Sequence, residues 1–286
     1  MAGTQIGAAL QYPSWTSHHR CRGRISLSRD LWEKLKDKKT SLTKFTINDV
    51  VRSGLLVPSS DIGVYAGDEE CYYLFRDVFD PITKECHGIN EIPVHISNLD
   101  PRSLTSVIKN KAPIRSTRCR VESDEYQAGA GIGRDWPEGR GIFYNNAKTF
   151  LAWVNEEDHL RIISMQKGAN VEQVFDRLCR GINAINKALL KQAQTEFAFH
   201  KQYGYLSSCP TNLGTGMRAS VHMHIPNTLT ESQFKNRCCK LGLDVRGRHG
   251  EKCDSDGGVY DVSNLQRLGS TEVEQVQTLV DGINSI

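Results

Sequence analysis

The hydrophobic pattern changes character along the chain. In the first third, apolar residues recur at helical spacing in short runs. Leu31, Trp32 and Leu35 follow a Ser28 cap. Ile47, Val50 and Val51 follow a Thr46/Asp49 pair, with Gly54 as the expected stop. A third helix is predicted over residues 68–78, with Pro81 closing it or opening the next turn. Residues 87–115 lose the period and contain Pro93, Pro101 and Pro113, as a linker with one short helix would. Beyond them the pattern becomes strand-like. Residues 149–154 and 160–165 are apolar, β-branched or aromatic runs separated by Asn155-Glu156-Glu157-Asp158-His159, which predicts an antiparallel hairpin. Val171, Val174, Phe175, Leu178, Ile182, Ile185 and Leu189 share one face of a helix predicted over 171–191. Residues 203–209 and 219–226 read as further strands, and Thr271 with Glu274 boxes the start of a last helix. The fold class is therefore α+β: a small all-helical region, then a larger one with an antiparallel sheet packed on helices.

Composition narrows the function. The chain has 286 residues, enough for one large or two modest domains, and a formal net charge of only +3. Its basic residues are scattered and not interleaved with aromatics, which argues against nucleic acid as a partner and against a membrane surface. Nine cysteines at irregular spacing, with no apolar leader and no long apolar run, predict a reduced, cytoplasmic protein. Cys238, Cys239, His249 and Cys253 do not follow the usual zinc-ligand spacing, so no bound metal is expected from them. Residues 1–27 show no periodicity and are expected to form a poorly ordered leader.

Five pieces carry chemistry. They are Ser116-Thr117-Arg118-Cys119-Arg120; Asn155 to Arg161 with Glu157; the stretch holding Cys209, Arg218 and His222; Val245 to Glu251 with Arg246; and Gly257 to Asp261. Each has a plain reading when alone: an Arg-x-Arg is often a solvated edge, an acidic hairpin a polar turn, a lone cysteine a small buried hydrophobe. Together they place several arginines beside carboxylates. Arginine's planar fork donates to two oxygens at once, and several arginines in one cleft need an anion such as a triphosphate to join them. Carboxylates among them would hold a flat cation and take its proton. The combination points to phosphoryl transfer between a nucleotide and a guanidine, a reaction that depends mostly on positioning and charge neutralisation.

The stretch 209–222 resembles the active-site signature of the phosphagen (ATP:guanidino) kinase family, in its arginine kinase branch, and the resemblance covers residues 28–92 and 134–286. It implies a helical guanidino-specificity domain over 28–92, a linker over 93–115 and a catalytic domain over 116–286. It implies that Glu157 and Glu251 clamp the guanidinium, one of them as base, and that Cys209 aligns it. It implies that Arg118, Arg120, Arg161, Arg218 and Arg246 grip the phosphates of ATP or ADP carried with Mg2+, with His222 and Asp261 beside the nucleotide. It implies that the loop Ser60-Asp61-Ile62-Gly63-Val64-Tyr65 receives the amino-acid end of the substrate, with Ser60, Ile62, Gly63, Val64 and Tyr65 in contact. L-arginine is the expected guanidine, and a monomer the expected state.

The chain departs from the family in places. Fifteen residues, 121–135, stand where the family has several dozen more. Ser59 and Asp61 replace a usual Asp and Gly, and Arg246-Gly247-Arg248-His249-Gly250-Glu251 differs from the family's loop. These departures leave open a second reading, a shortened chain that binds nucleotide or a partner without catalysis.

Overall fold

The computed structural model describes residues 11–108, 116–117, 129–133, 135, 137–226, 228–247 and 258–286. The chain forms two compact units. The first takes the described residues of Met1–Glu91, Ser123–Trp136 and Ser207–Thr211; the second takes those of Ile92–Glu122, Pro137–Leu206 and Asn212–Ile286.

The first unit is helical: α1 (Arg22–Ser26), α2 (Arg29–Leu35), α3 (Ile47–Val50), α4 (Arg52–Leu56), α5 (Cys71–Leu74) and α6 (Arg76–His87). Ser28 caps α2 as expected, its side chain accepting from the Leu31 amide. Thr46 and Asp49 form a reciprocal capping box on α3. Trp32, Leu35, Ile47, Val50, Val51, Phe75, Val78, Phe79 and Ile82 are buried, and the Tyr72 and Phe79 rings lie 4.7 Å apart.

Three expectations for this unit need correction. Gly54 does not end a helix but lies buried inside α4, where a side chain would meet Cys21 Sγ at 2.7 Å and the Gly63 carbonyl at 2.8 Å. Pro81 does not end one either. It sits within α6, whose apolar face (Val78, Phe79, Ile82) outweighs the lost backbone hydrogen bond, and the stop comes at Gly88 with φ 63°. Residues 11–27 of the expected leader are packed: Cys21, Gly23 and Leu27 are buried, and the Tyr12 hydroxyl donates to the Leu27 carbonyl at 2.9 Å.

The second unit has antiparallel sheets and helices. The strands are β1 (Ser116–Thr117), β2 (Gly141–Tyr144), β3 (Phe150–Val154), β4 (Leu160–Ser164), β5 (Gln166–Lys167), β6 (Phe199–His200), β7 (Gly204–Tyr205), β8 (Ser220–His224), β9 (Leu243–Gly247) and β10 (Val259–Asn264). The helices are α7 (Val171–Ala193), α8 (Glu231–Lys240) and α9 (Glu272–Ser285), with a 3-10 turn at Pro101–Ser103. A five-stranded sheet runs β5-β1-β8-β10-β9, a three-stranded sheet β2-β3-β4, and β6-β7 forms a short pair. The α+β architecture predicted from the pattern is the one observed.

The core of this unit lies where α7, α8 and α9 cover the five-stranded sheet: Phe175, Val221, Met223, Phe234, Tyr260, Val262, Val276 and Leu279 are buried together. Val221 faces Val262 across β8 and β10, and Val262 faces Val245 across β10 and β9. These are apolar rungs on one face, and alternation sends the next residues to the other face. The run 203–209 does not continue as a strand: β7 ends at Tyr205, whose amide donates to the Gly214 carbonyl at 2.7 Å. The C-terminal half of α7 is only half-buried at Ile182, Ile185 and Leu189, and β2 leaves Ile142, Phe143 and Tyr144 exposed.

Candidate functional site

The β3–β4 hairpin fixes the first carboxylate. Trp153 pairs with Arg161 and Val154 with Leu160, so the turn spans Asn155 to His159. Asn155 takes φ 54°, which asparagine tolerates, and its amide closes the turn on the His159 carbonyl at 3.0 Å. Its side chain donates to the Gly139 carbonyl at 2.7 Å. The turn thus folds Glu156 and Glu157 inward, with side chains 12% and 11% exposed. Arg161 Nη2 donates to Glu157 Oε2 at 3.1 Å and lies 3.4 Å from Glu156 Oε2. Burial, with help from the Asp158 and Glu156 charges, pushes the Glu157 carboxyl up to about 7 against the opposing pull of Arg161. A carboxyl so placed can hold or accept a proton near neutral pH.

The five-stranded sheet assembles a second group. The backbone of Ser116 pairs with His222, His222 with Asp261, and Asp261 with Arg246, so one polar rung crosses β8, β10 and β9. Arg218 Nη1 donates to Asp261 Oδ2 at 2.8 Å, and His222 Nε2 lies 3.9 Å from the same oxygen. Arg246 Nε donates to Asp244 Oδ2 at 2.6 Å. Arg218, His222, Asp261 and Arg246, separated in sequence by up to several dozen residues, are thus brought into one neighbourhood by strand register. A guanidinium oriented by a carboxylate keeps its other N–H groups directed, which is the arrangement needed to grip an anion.

The first unit holds the other expected residues. Ser60 is buried and donates its amide to the Val57 carbonyl at 2.9 Å. Gly63 takes φ 69°, Val64 is buried, and the Tyr65 amide donates to the Val50 carbonyl at 3.0 Å; Ile62 is half-buried. Directly after Tyr65, the Ala66 amide donates to the Ser208 carbonyl at 2.8 Å. The Tyr72 hydroxyl donates to the Ser207 carbonyl at 2.7 Å, and His87 Nε2 lies 2.9 Å from the Pro210 carbonyl. Those contacts bind the segment carrying Cys209 to the segment carrying the 60–65 loop. Cys209 is 6% exposed, with Sγ 3.1 Å from Thr211 Oγ1.

Glu251, Arg118 and Arg120 lie outside the described residues. Sequence reasoning passed over Glu156, Asp158 and Asp244. The run of acids in the hairpin was visible, but that it would crowd one guanidinium was not, because exposure of a turn cannot be read from its composition. Among the described residues there is no cluster of three or more metal-ligating side chains, and no helix is long and apolar enough to cross a membrane. A cavity of about 410 Å³ lined by Asn98, Arg102, Asp176, Cys179 and Arg180 touches none of the site residues above.

Comparison with known proteins bears on this geometry. Residues 93–286 match the model of the ATP:guanido phosphotransferase C-terminal catalytic domain, and residues 17–84 that of its N-terminal domain. An arginine kinase of Anthopleura japonica is 38% identical over 328 residues, covering 91% of this chain; the chain spans only 45% of that relative's length. A creatine kinase M-type of Torpedo marmorata is 34% identical over 345 residues, covering 96% of this chain and 90% of the relative. That alignment is longer than the chain itself, so several dozen positions of the relative have no counterpart here. A crystal structure of a lombricine kinase superposes with a TM-score of 0.86 at 30% identity, covering 93% of this chain and 91% of that one.

Proposed function

The chain belongs to the ATP:guanido phosphotransferase family, and from that premise we propose that it transfers the γ-phosphoryl group of MgATP reversibly to the guanidinium of L-arginine. The observation that carries the reading is the buried Glu157 carboxyl, held near 7 beside Arg161 at the head of the β3–β4 hairpin.

MgATP is a substrate that brings its own cation. Its phosphates take hydrogen bonds from Arg218 and Arg246, with Arg118, Arg120 and Arg161 completing the set, and His222 and Asp261 flank the nucleotide. Asp261 keeps Arg218 aimed, an arrangement made before the reaction and not during it. Glu157 holds the arginine guanidinium with Glu251 and accepts a proton from its reacting nitrogen. That nitrogen bonds to the γ-phosphorus as the bond from phosphorus to the β–γ bridging oxygen breaks, and ADP leaves with the electron pair. Cys209 lies along the other edge of the guanidinium, and Ser60, Ile62, Gly63, Val64 and Tyr65 receive the amino-acid end. The Ala66–Ser208 hydrogen bond supports this pairing, since it ties the loop and the cysteine segment together.

Arginine kinase, creatine kinase and lombricine kinase are all among the similar proteins, so the guanidine is the point to test. Purified protein is assayed for ADP release with L-arginine, creatine, taurocyamine, glycocyamine and lombricine. The expected result is turnover with L-arginine at the highest kcat/KM. Turnover with another guanidine in preference overturns the substrate, and turnover with none overturns the reaction.

A further inference from the structure

Loop 60–65 is fastened from behind by the start of α1. The first amides of a helix have no partner inside it. Here the Arg22 amide donates to the Asp61 carbonyl at 2.8 Å and the Gly23 amide to the Ile62 carbonyl at 3.0 Å. The Arg22 side chain reaches the same loop residue, donating through Nη1 to Asp61 Oδ2, while its Nε lies 3.1 Å from Glu85 Oε1 on α6. The Gly54 amide also holds the loop, donating to the Gly63 carbonyl at 3.2 Å.

Packing leaves the loop no slack. A Cβ on Gly23 would stand 2.7 Å from Val64 Cγ1, and one on Gly63 would stand 2.6 Å from both Cβ and Sγ of Cys21. The Arg22 side chain is 23% exposed and Asp61 79%, so the ion pair alone contributes little. Its effect comes from acting on Asp61, which the Arg22 amide already holds, next to Ile62, which the Gly23 amide holds. Glu85 in turn keeps the guanidinium from swinging away into solvent.

We propose that Arg22 is a positioning residue for guanidine choice: through Asp61 it fixes the turn that presents Ile62, Gly63 and Val64 to the substrate. The proposal rests on the reading of loop 60–65 as the guanidine-receiving loop. Arg22 touches neither substrate nor nucleotide in this account; it acts through the loop.

The test compares Arg22→Gln, Arg22→Lys and Asp61→Asn with the unaltered chain by amide hydrogen exchange and steady-state kinetics. Arg22→Gln and Asp61→Asn are expected to speed exchange in residues 60–66 while leaving α6 unchanged. Both raise KM for L-arginine roughly two- to fivefold, leave KM for MgATP and kcat unaltered, and narrow the preference for L-arginine over taurocyamine by a similar factor. Arg22→Lys, which keeps the charge, recovers part of each effect. Unchanged exchange, or a parallel rise in both KM values, overturns the proposal. If the unaltered chain phosphorylates no guanidine, the phosphotransfer reading falls separately, and calorimetric titration with L-arginine decides. Weaker binding by Arg22→Gln than by the unaltered chain upholds the role of Arg22, whereas equal binding, or none by either, overturns it.

Discussion

Arg161 donates to Glu157 at 3.1 Å from the strand that follows the turn, yet the carboxyl it contacts is held up at about 7. The attraction of one guanidinium does not offset burial joined to two neighbouring acids. The result is a carboxyl that titrates near 7, and its removal is expected to change both rate and stability.

In the rate, Glu157→Gln keeps the shape of the side chain and removes its proton-accepting capacity. We expect kcat to fall by about 10²- to 10⁴-fold, the usual contribution of a positioned base. The rising limb of kcat/KM against pH near 7 should vanish with it. A variant that keeps both the rate and the limb removes Glu157 from the mechanism.

In stability, the folded carboxyl holds its proton more tightly than the unfolded one, whose value is near 4.5. The folded state therefore binds more protons between about 4.5 and 7, and the group's contribution is present below that window and lost as pH rises through it. Urea melts from pH 5 to 8 should show stability falling across the window by up to about 3 kcal/mol from this group. Glu157→Gln should flatten the fall. An identical slope in the variant would place the titration elsewhere.

Asp261 has a separable role. Asp261→Asn loses the charge that orients Arg218. KM for MgATP should rise while KM for the guanidine holds, and the melt should lose about 1–3 kcal/mol from the weakened, mostly buried pair. Equal changes in both KM values would mean that Asp261 only maintains the sheet.

Gly63 is a steric prediction. Alanine there needs φ 69° and a Cβ 2.6 Å from Cys21. Gly63→Ala should cost about 1–3 kcal/mol in a thermal or urea melt. Pairing it with Cys21→Gly, which opens the space but not the backbone strain, should recover only part. Full tolerance of alanine would show the node to be loose.

Thiol labelling ranks the cysteines. Among the cysteines of the described residues, Cys239 is exposed and should react first with a neutral-pH thiol reagent. Cys71 and Cys179 are buried, and burial pushes both thiols up to about 12, so they should stay unmodified until the chain unfolds. Mapping the labelled peptides by mass spectrometry checks the order.

Local signals in the sequence were the ones that could be read. The Ser28, Thr46 and Thr271 caps, the β3–β4 hairpin and the α7 stripe depend on neighbours a few residues away, and all formed. The errors came where distant chain decides. Gly54 looked like a helix stop because glycine often is one, but it is there to let Gly63 and Cys21 approach. Pro81 looked like a break, but the buried side of α6 carries the helix through it. Residues 11–27 looked unstructured because their order is supplied by loop 60–65 and by α2 to α4, not by their own period. In the candidate site, the residue types were legible and their pairing was not. Nothing in spacing alone places Asp261 against Arg218 or loads Glu157 with neighbours of its own sign.

The rung that carries His222, Asp261 and Arg246 lies one residue away from the rung of Val221, Val262 and Val245. A slip of β10 by a single position would exchange the two, driving the Asp261 carboxylate into the oily interior and turning Val262 toward the polar face. The hydrophobic interior thereby proofreads the polar face above it: a misaligned sheet cannot survive long enough to present a scrambled order of His222, Asp261 and Arg246.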